Sequence, residues 1–150
     1  MLRKAARSGR FLREAEALAA SLRERDPIAG MSPVARAGPE RLHVLFVCSR
    51  NRWRSPTAEQ VWLRHPRVNA RSAGTSAGAR HPVSAADLAW ADVVVVMEDK
   101  HRSRLLGEYG ALLAYKPLHV LDIPDDYPYM DPDLVELLGD PVADLLGLER

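Results

Sequence analysis

One cysteine, Cys48, stands in the 150-residue chain. No intramolecular disulfide can form, and no thiolate metal site can be completed around the scattered histidines His43, His65, His81, His101 and His119. A free thiol fits a reducing cytoplasm, and neither a cofactor nor a metal is expected. Apolar runs are short, and none approaches the ~18 residues of a membrane-spanning helix. Aromatic residues make up only 6% of the chain and do not interleave with the basic ones as a nucleic-acid surface requires. Net charge is nearly absent too, at +1, but unevenly spread: residues 1 to 41 hold 9 Lys/Arg against 5 Asp/Glu, leaving −3 on the remainder. What remains is 47% hydrophobic and 27% charged residues, enough for one globular core.

Two segments differ in composition. Residues 1 to 40 read as a basic helical extension and linker: Phe11, Ala15, Leu18 and Leu22 share one helical face within residues 2 to 25, and Ile28 to Pro39 is rich in Ala, Gly, Pro and Ser without a period. A domain is expected over residues 41 to 150. There, apolar runs of strand length alternate with helix-like stretches. His43 to Val47, Val68 to Ala73, Val93 to Met97 and Leu118 to Ile123 are the expected strands. Helices are expected from about Pro56 to Leu63, after Ser84 with Asp87 in a capping box, from a cap at Asp99 to about Tyr109, and after the cap Asp131-Pro132. Strand alternating with helix four times implies an α/β fold, a four-stranded parallel sheet with helices on both faces in three layers. Ligands of such sheets bind beyond the carboxyl ends of the strands, and Cys48 sits at one of those ends.

The segment from Cys48 to Pro56, CSRNRWRSP, runs from the first strand into a helix. A lone cysteine after a strand is ordinarily a small buried apolar residue. Here it is followed by Ser49, Arg50, Asn51, Arg52 and Trp53, then Arg54 and Ser55. A loop of this length can turn its backbone amides inward, and a helix N-terminus adds unpaired amides and a positive dipole end. Such surroundings favour a thiolate. Arg54 offers a planar fork for two phosphate oxygens, and the Ser55 hydroxyl can donate to the sulfur.

These residues resemble the low-molecular-weight protein tyrosine phosphatase family. The likeness covers Leu42 to Leu138, through VLFVC, Asn51, RSPTAE (Arg54 to Glu59), RSAGT (Arg71 to Thr75) and WADVVVVMEDKH (Trp90 to His101). It implies Cys48 as nucleophile, Arg54 as phosphate-binding residue, Ser55 as support for the thiolate, and Asn51 in a strained conformation that fixes the loop. The chain departs from the family pattern in three places. Arg50 replaces a usual glycine, Trp53 stands where a second loop cysteine often protects the nucleophile, and the late acidic loop reads DIPDDYPYMDP from Asp122 to Pro132. Aligned by spacing, Asp125 takes the general acid's place, ahead of Asp126, with Asp131 better explained as a helix cap.

The resemblance implies a phosphomonoester hydrolase acting through a phosphocysteine on Cys48, with Asp125 as acid and then base, on a phosphorylated protein or small phosphomonoester. Ser49, Arg50, Asn51, Arg52, Trp53 and Ser55 would surround the substrate, and Tyr127 would help wall the entrance. Two alternatives stand beside it: an arsenate reductase drawing on a small-molecule thiol, and a phosphate-binding module without turnover.

Overall fold

The computed structural model describes residues 40–149. The expected N-terminal helix and linker lie outside the described residues. Four parallel strands form one sheet: β1 (Leu42–Cys48), β2 (Val68–Gly74), β3 (Val93–Val96) and β4 (Leu118–Val120), in the order β2-β1-β3-β4. Between and after them run α1 (Arg54–Trp62), α2 (Ala85–Trp90), α3 (Asp99–Leu113), α4 (Pro132–Leu137) and α5 (Asp140–Leu146).

The two central strands explain their own lack of polar alternation. Successive side chains point to opposite faces of a strand, and here both faces are covered. Val44, Phe46 and Cys48 of β1, with Val93 and Val95 of β3, pack against Ala58 and Trp62 of α1, Leu134 of α4 and Val142 of α5. Leu45, Val47, Val94 and Val96 pack on the other side against Leu88 of α2 and Leu105 and Leu113 of α3. The buried indole of Trp62 also donates to the Leu138 carbonyl at 2.8 Å, tying α1 to the end of α4.

Three local expectations are corrected, and one helix was not expected. Helix α1 starts at Arg54, two residues before the expected site; Pro56 is tolerated in its first turn, where an amide has no intrahelical partner. The N-cap of α3 is Glu98, not Asp99, and the helix continues to Leu113 through a kink at Tyr109, where φ is −133° and ψ 28°. Strand β4 ends at Val120, two residues before Asp122 takes φ 59°, although the amides of Leu121 and Ile123 still reach Val96 and Met97. Helix α5, unanticipated, opens on Asp140-Pro141 and buries Val142 and Ala143.

From β1 the chain crosses to β2 on one side, and from β3 to β4 on the other. The crossovers diverge between β1 and β3, so the crevice at their carboxyl ends is the switch point where α/β sheets bind ligands. The loops after Cys48 and Val96 both end there.

Candidate active site

The loop after β1 is shaped by the segment that follows β2. The carbonyls of Cys48, Ser49 and Arg50 accept from the amides of Thr75, Ser76 and Arg80 at 2.9, 2.9 and 3.0 Å, and that of Asn51 accepts from Arg80 Nε at 2.9 Å. With the carbonyl edge occupied on the outside, the amide edge is left for the inside, and the Asn51 amide does point at Cys48 Sγ, 3.3 Å away. Gly74 makes this approach possible. A Cβ there would lie 2.6 Å from the Ser49 carbonyl oxygen and 2.6 Å from Ala79 Cβ. Asn51 takes φ 56°, a left-handed conformation that asparagine tolerates better than most residues.

Cys48 is buried, with Sγ 3.0 Å from Ser55 Oγ. Asn51 Nδ2 donates to that hydroxyl at 2.9 Å, and the single Ser55 proton is shared between Sγ and the Ala73 carbonyl, 3.3 Å away. The Asn51 amide and the Ser55 hydroxyl thus both lie within hydrogen-bond reach of Sγ. No side chain caps α1, so its first amides are left for an anion in the loop.

Arg54 is 1% exposed, an unusual position for a guanidinium. One nitrogen donates at 2.7 Å both to Glu98 Oε1 and to the Ile123 carbonyl. This bond holds the Glu98 carboxyl below its ordinary range despite its partial burial. Arg54 Nε lies 3.4 Å from Asp125 Oδ1, close enough for attraction but not aligned as a hydrogen bond, so this buried donor has no hydrogen-bonded partner. The fork is anchored through one terminal nitrogen, while Nε is ion-paired to Asp125 without a hydrogen bond.

Beneath the loop, Glu98 N–H donates to His101 Nδ1 at 3.0 Å, so a neutral His101 carries its proton on Nε2 and donates to Ser49 Oγ at 2.8 Å. Burial first, then the nearby Arg54 charge, pushes His101 down to about 4 from its ordinary 6.5. Neither Glu98 nor His101 was singled out in the sequence. Their signal was present: an acid and a histidine three residues apart, directly after the all-valine strand, at the edge where ligands bind.

Cys48, Arg50, Arg52, Trp53, Arg54 and Asp125 line one cavity of about 320 Å³. Asp125 is thus the aspartate of the late loop that reaches the cleft. Asp131 caps α4 by accepting from the Asp133 and Leu134 amides. Ser49, Asn51 and Ser55 support the loop from behind. Tyr127 does not line the cavity. Its half-buried ring packs against the core cluster on the α1 side of the sheet, where it removes apolar surface from water. Exposed Trp53 supplies the aromatic wall, and Tyr129 lines a neighbouring cavity.

No family model and no curated protein matches the sequence. Solved structures do. The arginine phosphatase YwlE of Geobacillus stearothermophilus superimposes with a TM-score of 0.58 at 20% identity, covering 71% of this chain and 93% of that one. The fold is that of the low-molecular-weight phosphatases. The tyrosine phosphatase Wzb of Escherichia coli K30, solved with phosphate, gives 0.57 at 19% identity over 70% of this chain and 96% of its own. The low-molecular-weight protein tyrosine phosphatase SP-PTP of Streptococcus pyogenes gives 0.58 at 18%, over 71% and 91%. The four-stranded parallel sheet read from the sequence is thereby established, together with the fold that the loop motif resembled.

Proposed function

We propose that the chain is a cysteine-dependent phosphomonoester hydrolase of the protein tyrosine phosphatase type. The observation that carries the reading is the convergence of the Asn51 amide and the Ser55 hydroxyl on Cys48 Sγ inside a loop closed by the buried fork of Arg54. A thiolate and a tetrahedral dianion both require such donors. The solved structures that share the fold include tyrosine and arginine phosphatases, which favours hydrolysis over arsenate reduction or binding without turnover.

In this mechanism the Cys48 thiolate attacks phosphorus in line with the ester oxygen. The P–O bond breaks, Asp125 gives its proton to the leaving oxygen, and the phosphoryl group passes to sulfur. Water then attacks the phosphocysteine, Asp125 takes its proton, and inorganic phosphate leaves as the thiolate is restored. Arg54 and the loop amides hold the equatorial oxygens throughout. Trp53 favours an aromatic leaving group, so phosphotyrosine is the preferred substrate class. A catalytic thiol with no second cysteine to shield it is suited to a reducing cytoplasm.

The test is hydrolysis of a chromogenic aryl phosphate, with vanadate as inhibitor. Cys48→Ser abolishes turnover while near- and far-ultraviolet circular dichroism stays unchanged, because a hydroxyl is a poor nucleophile near neutral pH. Turnover by the folded serine variant within a few-fold of the parent would overturn the mechanism.

A further inference from the structure

The mouth of the cleft holds more positive charge than one phosphoryl group uses. Arg50 and Arg52 are exposed, line the cavity around Cys48, and have no ion-pair partner among the described residues. Asp125 is the carboxylate of that cavity, and it already faces Arg54. Arg52 and Trp53 also line an adjoining cavity of about 510 Å³, together with Arg80, Glu59 and Tyr129. Arg80 does not swing freely, because its Nε is bonded to the Asn51 carbonyl at the rim of the loop. Glu59 opposes the two guanidiniums, but one of its oxygens accepts from Ser72 Oγ, and one carboxylate against two arginines leaves the cavity positive.

We propose that Arg52 and Arg80 form a second anion subsite beside Trp53, and that the substrate is a phosphomonoester bearing another negative group near the scissile phosphate. That group is an acidic side chain flanking a phosphorylated residue or a second phosphate on a small molecule; the chemistry of recognition is shared. The inference rests on the phosphatase reading and adds a substrate class to it. With the first phosphate on Cys48 and an aromatic leaving group along Trp53, the next group of the substrate meets Arg52 and then Arg80. Guanidinium groups are suited to this task, since their planar donors pair with carboxylate and phosphate alike.

Two substrate pairs test it at low and high ionic strength: phosphotyrosine peptides differing only by Glu or Gln next to phosphotyrosine, and an aryl monophosphate against its bisphosphate. In at least one pair, the member with the second charge is expected to have the higher kcat/KM by about fivefold at low salt, the size of an exposed ion pair. That advantage shrinks as salt screens it. The pair that shows it identifies the source of the anion. Arg52→Gln brings the ratio close to one whatever its absolute rate, and Arg52→Lys keeps most of it. Equal kcat/KM within both pairs, or a ratio unchanged in Arg52→Gln, overturns the subsite and leaves the phosphatase reading standing. Failure of the folded protein to hydrolyse any of the four substrates overturns the phosphatase reading itself.

Discussion

The least conventional residue in the cleft is Asp125, because three other aspartates, Asp122, Asp126 and Asp131, lie within six positions of it. The structure separates them by position: Asp125 lines the cavity with Cys48, while Asp131 is engaged as the cap of α4. If Asp125 protonates the leaving group, Asp125→Asn slows hydrolysis of alkyl and tyrosyl phosphates by about 10²- to 10⁴-fold. Activated aryl phosphates, which leave unaided, lose much less. Asp131→Asn, which keeps a capping oxygen, leaves the leaving-group dependence intact and shifts stability by a few tenths to about 1 kcal/mol at most. A Brønsted plot of kcat against leaving-group acidity decides the matter, and an unchanged slope in Asp125→Asn would remove that residue from the acid's role. The place of Asp125 at the cleft was legible from spacing along the chain. Glu98 and His101 were not, because their contacts with Arg54 and Ser49 span 44 and 52 residues, and no local pattern encodes so distant a partner.

At the scale of elements, what was legible follows from periodicity and capping. The valine run of β3 announced a strand covered on both faces, and Ser84 with Asp87 does form the capping box expected of α2. Strand order was beyond reach, since the pattern of β2 does not say which side of β1 it takes. The same limit hid the role of the segment after β2, which reads as a loop yet holds the carbonyl edge of the Cys48 loop. Gly74 is the hinge of that arrangement. Gly74→Ala forces a Cβ into the Ser49 carbonyl oxygen, a backbone atom that cannot yield without moving the loop. A loss of about 1–3 kcal/mol is expected, as for other overpacked sites. A fall in kcat should accompany it. Gly78→Ala serves as the control: its nearest neighbour would be Ser76 Oγ at 3.9 Å, so urea midpoint and turnover should both stay near the parent values. Equal behaviour of the two variants would show that the loop does not depend on this close approach.

For the molecule as a whole, the sheet brings a buried charge network under the cleft, and this couples stability to pH. His101 is 1% exposed and its pKa is pushed to about 4, first by burial and then by the charge of Arg54, with Glu98 partly opposing. Between about pH 4 and 6.5 the unfolded chain therefore binds a proton at this position that the folded chain refuses. Stability rises with pH wherever the unfolded state holds more protons. The contribution of His101 is thus fully present above about pH 6.5 and is lost progressively as pH falls toward 4, by roughly 3 kcal/mol in all for a shift of this size. Glu98 acts in the same direction but lower, below the ordinary carboxylate range, because its proton is refused by the bond from Arg54. The two windows can be told apart by substitution. His101→Asn removes the titrating ring, so the slope of urea-unfolding free energy against pH between 4.5 and 6.5 should flatten relative to the parent, even though the variant is less stable at pH 7. Glu98→Gln should leave that slope in place while loosening Arg54. A parent whose stability is flat from pH 6.5 to 4.5, or a His101→Asn variant with an undiminished slope, would show that the ring beneath Ser49 takes up its proton in the folded state as readily as in the unfolded one.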